Sequence, residues 1–103
     1  MKTVVLKFGG TSVGTIDRIK KVCKIIAFYK KKKNKVVVVS SAMSGVTNEL
    51  VNKSKLISSN FDRAEYDVLV STGEQVSCAL IAGRLKHIGF KSRSWTSWQL
   101  PIL

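Results

Sequence analysis

The sequence has few of the residues that build disulfide frameworks, metal sites or structureless linkers. Its 103 residues include two cysteines, one histidine and one proline. Cys23 and Cys78 stand far apart, with neither a Cys-x-x-Cys spacing nor a histidine at metal-ligand distance in the sequence. We therefore predict no metal site and two free, buried thiols, which fits a reducing compartment and a cytoplasmic location.

Long apolar segments are also absent. No apolar run approaches the roughly 20 residues that a membrane-spanning helix needs. The first residues follow a strand pattern and lack the charged-then-apolar order of a signal segment. We therefore expect no membrane partner.

Acidic residues are scarce, and this leaves a strong positive charge. Six acidic residues oppose 18 basic ones, so the formal net charge is +12. The densest run, Lys30 to Lys33, falls at the end of a helix pattern, where lysines favour the helix dipole and remain solvated. A basic module that binds nucleic acid is the alternative. However, lysine outnumbers arginine by fourteen to four, whereas base reading favours arginine, so we expect no nucleic-acid partner.

The apolar pattern predicts an α/β fold. Strands are predicted at residues 3–8, 35–40 and 90–95, with helices at about 15–32, 47–57 and 62–87. Thr15 is the predicted cap of the first helix, and Thr47 or Asn48 that of the second. We expect Gly73 to interrupt the third helix and Gly89 to end it. The continuous run from Val36 to Val39 is typical of a strand buried on both faces.

A strand, a helix and a second strand in succession predict a right-handed crossover between parallel strands. The carboxyl ends of the two strands then lie at one edge of the sheet, where ligands of such sheets bind. The first strand ends in a segment suited to a polyphosphate: Lys7-Phe8-Gly9-Gly10-Thr11-Ser12-Val13. Glycines let backbone amides approach phosphate oxygens, the next helix adds its positive dipole end, and lysine adds a charge. The alternative is an ordinary glycine turn beside a chance lysine.

Two further segments carry polar chemistry. The second strand leads into a hydroxyl-rich stretch that includes Ser41 and Thr47. Glu74 lies at a glycine within an otherwise apolar helix pattern, where a buried charge would need a partner or a ligand. An exposed glutamate on a solvated helix face is the alternative.

These segments together resemble the N-terminal part of an aspartate kinase of the amino-acid kinase family. The resemblance rests on residues 7–13, on residues 41–50 (Ser-Ala-Met-Ser-Gly-Val-Thr-Asn-Glu-Leu) and on residues 71–74 (Ser-Thr-Gly-Glu). The closing residues, 93–103, are similar to the same enzymes. The resemblance covers essentially the whole chain.

The resemblance implies a three-layer sandwich with a mostly parallel sheet. It also implies transfer of the γ-phosphoryl group of ATP, with Mg²⁺, to the side-chain carboxylate of L-aspartate, the first step towards lysine, threonine and methionine. By the same resemblance Lys7 is catalytic, and Thr47 and Glu74 bind aspartate. The residues expected to contact nucleotide or phosphate are Lys7, Phe8, Gly9, Gly10, Thr11, Ser12 and Ser41.

The resemblance also implies that the chain is incomplete. Residues 1–103 correspond to the N-terminal part of the kinase domain, and we expect the remaining kinase domain and the regulatory ACT domains to lie outside it. The fragment alone is expected to be inactive, and the full-length protein to be a homo-oligomer. Two other functions remain open: a sibling kinase with another acceptor, and a non-catalytic basic binding module.

Overall fold

A computed structural model describes residues 2–95 of the chain. Its elements, in order, are β1 (Thr3–Phe8), α1 (Ile16–Lys31), β2 (Lys35–Ser40), α2 (Val46–Ile57) and α3 (Arg63–His87). The two strands pair in parallel, from Thr3 opposite Lys35 to Phe8 opposite Ser40. This confirms the predicted α/β class and the parallel pairing of the two strands that α1 connects.

Helix α1 begins and ends through local hydrogen bonds. The Thr15 hydroxyl accepts a hydrogen bond from the backbone N–H of Arg18 at 3.2 Å, which confirms the predicted cap. At the other end, Lys33 adopts a positive φ of 63°. The side-chain amide of Asn34 then donates to the Tyr29 carbonyl at 2.9 Å. The chain thereby turns into β2 while one of the helix's last carbonyls remains paired.

The core lies on one face of the sheet. Alternate strand residues pack there against a cluster of buried side chains from α1, α3 and the turn before α1. The cluster consists of Val13, Ile19, Val22, Cys23, Ile26, Ile81 and Leu85. The thiol of Cys23 donates to the Ile81 carbonyl at 3.8 Å, so it links the two helices inside the core.

The other face of the sheet is open within residues 2–95. Val5, Val37 and Val39 are 58%, 44% and 49% exposed. The prediction that β2 is buried on both faces is therefore wrong for the described part of the chain. The strand's run of valines has helices on one side, and the described residues supply no layer for the other.

Helix α3 is continuous through Gly73, so the predicted interruption is wrong. Gly73 is buried, and its lack of a side chain allows close packing against Ala42. The predicted end at Gly89 is confirmed. Gly89 has a φ of 99°, and the N–H of Phe90 donates to the Leu85 carbonyl at 2.9 Å. This is the pattern of a glycine-terminated helix whose last carbonyls remain paired.

Two further predictions are wrong. Helix α2 begins at Val46, and Gly45 occupies the cap position with no side-chain hydrogen bond, so neither Thr47 nor Asn48 caps it. Residues 90–95 form no strand, because no described strand pairs with them: the sheet of residues 2–95 consists of β1 and β2. The segment instead contacts α3, where the Ser92 hydroxyl donates to the Ala82 carbonyl at 2.7 Å. Residues 96–103, most of the closing similarity, lie outside the described residues. Among the residues that are described, no helix is long and apolar enough to cross a membrane.

Candidate active site

The turn after β1 is held by its own backbone and by α1. The N–H of Ser12 donates to the Gly9 carbonyl at 3.1 Å, and that of Gly14 donates to the Thr11 carbonyl at 3.2 Å. The guanidinium of Arg18 also donates to the Thr11 carbonyl, at 3.1 Å. Sequence reasoning missed Arg18. Its signal was a cation in the first turn of a helix, where the dipole disfavours positive charge and a compensating contact is expected.

Lys7 and Phe8 face opposite sides of the sheet at the carboxyl end of β1. Lys7 is exposed and pairs in register with Val39, so its side chain lies on the open face. Phe8 packs against the core, and its carbonyl accepts the N–H of Ser41 at 3.0 Å. The side chain of Phe8 therefore anchors the strand end, and only its backbone lies where a ligand at this edge would bind.

The loops that follow the two strands interlock at the carboxyl edge of the sheet. In addition to the Ser41–Phe8 bond, the N–H of Ser44 donates to the Gly10 carbonyl at 3.2 Å. A Cβ atom on Gly10 would lie 3.0 Å from the Ala42 carbonyl oxygen, so only glycine permits this approach without a shift. The edge thus brings together the residues predicted to contact phosphate. Those exposed along it are Lys7, Gly9, Thr11, Ser12 and Ser41.

Glu74 reaches this region from α3. The residue before it, Gly73, packs directly on Ala42, because a Cβ atom there would lie 2.9 Å from the Ala42 Cβ. Glu74 itself is exposed and lines a cleft of about 660 Å³ between α3, β2 and the segment after α3. Thr47 lies in the first turn of α2 and is half-buried. The cleft therefore contains Glu74 but is not lined by Lys7, which lies outside it at the end of β1.

Cys78 lies one helical turn after Glu74 and lines the same cleft. Burial raises the pKa of its thiol, a backbone hydrogen bond from Ser40 lowers it, and the nearby Glu74 carboxylate raises it again. The net pKa is raised, so the thiol is neutral at pH 7. Sequence reasoning treated Cys78 only as a buried thiol, whereas the structure places it between Glu74 and the end of β2.

Within residues 2–95, no group of three or more His, Cys, Asp or Glu side chains is placed to hold a metal ion. The chemistry at the carboxyl edge consists of the exposed Lys7, the Arg18 guanidinium held at the Thr11 carbonyl, backbone amides and hydroxyls, with the Glu74 carboxylate in the cleft beside β2. Such a set can bind an anionic, phosphate-like group at the turn and a cationic group at Glu74.

Comparison with known proteins gives a consistent result. The model of the amino acid kinase family matches residues 2–102. The chain is 51% identical to an aspartokinase of Geobacillus stearothermophilus over 99% of its own length and 25% of that protein. It is 48% identical to an aspartokinase of Rickettsia bellii over all of its length and 26% of that protein. The chain thus spans about a quarter of the length of these curated relatives.

A solved structure agrees with the result of the sequence comparisons. The fold is similar to the crystal structure of aspartate kinase from Synechocystis, with a TM-score of 0.82 and 48% sequence identity. The similarity covers 84% of this chain and 15% of that one. The structural likeness and the sequence relatives therefore indicate the same family.

Proposed function

The chain belongs to the amino acid kinase family, and we propose that it forms the phosphate-facing part of an ATP-dependent aspartate kinase. The observation that carries the proposal is the interlocked carboxyl edge of the sheet. Hydrogen bonds from Ser41 to Phe8 and from Ser44 to Gly10 join the lysine-glycine turn to the hydroxyl-rich loop. The names and identities of the relatives support aspartate as the acceptor.

The proposed reaction moves the γ-phosphoryl group of ATP to the side-chain carboxylate of L-aspartate, which gives 4-phospho-L-aspartate and ADP. One carboxylate oxygen forms the new bond to phosphorus, and the bond from the γ-phosphorus to the bridging oxygen of ADP breaks. Such transfers depend on positioning and on neutralising charge more than on covalent chemistry. Magnesium bound to the ATP phosphates would supply part of that neutralisation.

We assign Lys7 to the transferred phosphoryl group, because it is exposed at the carboxyl end of β1. Its exposed ammonium group would stabilise the negative charge on the transferred phosphoryl group. Backbone amides of the turn at Gly9 and Gly10 and the hydroxyls of Thr11, Ser12 and Ser41 would hydrogen-bond the phosphate oxygens. This arrangement requires no protein ligand to the metal, since ATP phosphates and water can complete its coordination.

Glu74 and Thr47 would hold the acceptor. The Glu74 carboxylate would pair with the α-ammonium group of aspartate, and the Thr47 hydroxyl would hydrogen-bond the same substrate. This role accounts for a carboxylate on α3 beside the contact between Gly73 and Ala42. The product would enter lysine, threonine and methionine synthesis in the cytoplasm, and the full-length enzyme would be a homo-oligomer.

A grafted kinase tests the proposal. Residues 2–102 replace the matching quarter of the Geobacillus stearothermophilus aspartokinase, and aspartyl phosphate formation is followed with aspartate or glutamate as acceptor. We expect activity with aspartate. Lys7→Ala should lower kcat by about 100-fold or more, because it removes a charge that stabilises the transition state. Lys2→Ala, which removes an exposed lysine just before β1, is the matched control and should have little effect.

The role of Glu74 is tested in the same graft. Glu74→Gln should raise the aspartate KM strongly and change the ATP KM little, whereas Glu65→Gln, an exposed glutamate in the first turn of α3, should change neither. An unchanged aspartate KM in the Glu74→Gln variant would remove Glu74 from the site. Preference for glutamate over aspartate would indicate a sibling kinase instead.

A further inference from the structure

Ala42 lies between two glycines from different elements. Its methyl group lies 2.9 Å from the position that a Cβ on Gly73 would take, and its carbonyl oxygen lies 3.0 Å from the corresponding position on Gly10. The residue is only 7% exposed. The loop after β2 is therefore closely packed on both sides, against the turn after β1 and against α3.

The contact leaves no room for another carbon atom. Carbon atoms in contact prefer a separation of about 3.5–4.0 Å, so a methyl group at position 73 would displace Ala42 by roughly 1 Å. Ala42 cannot avoid this by changing rotamer, since its Cβ moves only with the backbone. The Val46 Cγ1 atom, 3.2 Å from the same point, restricts movement in that direction.

The helix side of the contact is fixed as well. Further along α3, Ile81 and Leu85 are buried in the core, and the Cys23 thiol of α1 donates to the Ile81 carbonyl at 3.8 Å. Strain at position 73 would therefore move the loop after β2 more readily than α3. That loop carries Ser41 directly before Ala42, and α3 carries Glu74 directly after Gly73.

We propose that Ala42 is a positioning residue whose fit between Gly10 and Gly73 sets the distance from Glu74 to the phosphate-contacting residues. The inference rests on the proposed function, because it assigns Glu74 to one substrate and Ser41 to the other. The methyl group of Ala42 faces Gly73, and its carbonyl oxygen faces Gly10. Ala42 acts through the two glycines, and a small displacement of the loop would separate the carboxylate from the transferred phosphoryl group.

The experiment compares Gly73→Ala with the double variant Ala42→Gly/Gly73→Ala in the grafted kinase. Gly73→Ala should lower kcat/KM for aspartate by about 100-fold, the scale expected for a 1 Å misplacement of a reacting group. The ATP KM should change less, because Lys7 and the turn after β1 would keep the other phosphate contacts when the loop that carries Ser41 moves. Removing the Ala42 methyl group should restore most of the lost kcat/KM. Gly83→Ala is the control: it makes the same substitution on the same helix, where, among the described residues, only the adjacent backbone of α3 lies within 4 Å of the new methyl group.

The outcomes separate the inference from the proposed function. If the parent graft fails to phosphorylate aspartate, the proposed function fails. If the parent is active and Gly73→Ala leaves kcat/KM for aspartate unchanged, the positioning role of Ala42 is refuted. Losses that Ala42→Gly does not rescue would also refute it, because they would show a general folding defect.

A second measurement tests the contact without using activity. Urea unfolding of the grafted kinase should show a lower midpoint for Gly73→Ala and a partial return in the double variant with Ala42→Gly. If Ala42→Gly gives no recovery, the two residues do not oppose each other, and the inference is overturned whatever the kinase assay shows.

Discussion

Gly73 and Gly83 lie on the same helix, α3, but in different surroundings. At Gly73 a new Cβ would meet Ala42 at 2.9 Å, whereas at Gly83 it would meet no atom of residues 2–95 within 4 Å apart from the adjacent backbone of its own helix. The first glycine faces the carboxyl edge of the sheet, where two loops interlock, and the second faces solvent. The two glycines of α3 therefore differ in what they contribute. Close packing requires glycine at position 73, whereas packing places no such requirement on position 83.

The largest expected loss of stability comes from enlarging Ala42, the loop residue that packs against Gly73. Ala42→Val adds two methyl groups between Gly10 and Gly73, and overpacking of this kind costs about 1–3 kcal/mol. Urea unfolding of the grafted kinase measures the loss. Ala79→Val places the same change on an exposed position of α3 and should cost only the few tenths of a kcal/mol due to lower helix propensity. Equal losses in the two variants would show that Ala42 is not tightly packed.

A smaller effect is expected where the sequence lacks a glycine that the backbone would favour. Lys33 has a φ of 63° at the end of α1, a conformation that costs a residue with a side chain roughly 1–2 kcal/mol. Lys33→Gly should therefore raise the free energy of unfolding by about 1 kcal/mol. Lys32, with a φ of −83°, provides the control, since Lys32→Gly should bring no gain. If both variants destabilise the chain equally, the turn at Lys33 differs from the one described.

The smallest expected change in stability concerns Gly83 and tests its contrast with Gly73 directly. Gly83→Ala should stabilise the chain by about 0.5–1 kcal/mol, because alanine loses less backbone entropy than glycine in a helix and meets no neighbour here. Thermal and urea unfolding both measure this gain in stability. A destabilised Gly83→Ala chain would mean that the helix surface at Gly83 is covered, and the contrast with Gly73 would be lost.

The elements with strong local signals were predictable from sequence. The valine run, the Thr15 cap and the apolar pattern of residues 3–8 depend on near neighbours, and the elements match the predicted bounds closely. Gly73 was misread because its meaning depends on Ala42, which is distant in sequence. The 90–95 segment was misread as a strand because its apolar pattern does not reveal that Ser92 binds α3.

The position of the candidate site was also predictable in outline. Parallel strands joined by a helix must end at the same edge, and the structure places the turn after β1 and Ser41 there. The contributions of Arg18 and Ala42 were not predictable. Ala42 carries no chemistry, so no motif identifies it. The roles assigned to Lys7, Thr47 and Glu74 remain predictions that the grafted kinase addresses.

The register of the sheet limits which insertions and deletions β1 can tolerate. Lys7 lies on the open face only because Leu6 and Phe8 on either side of it face the core. Since strand side chains alternate, losing or gaining one residue before Lys7 would turn its ammonium group into the core and expose both apolar neighbours. We therefore expect length changes among natural variants to fall in the loops, such as residues 58–62 between α2 and α3, and not between Thr3 and Gly10.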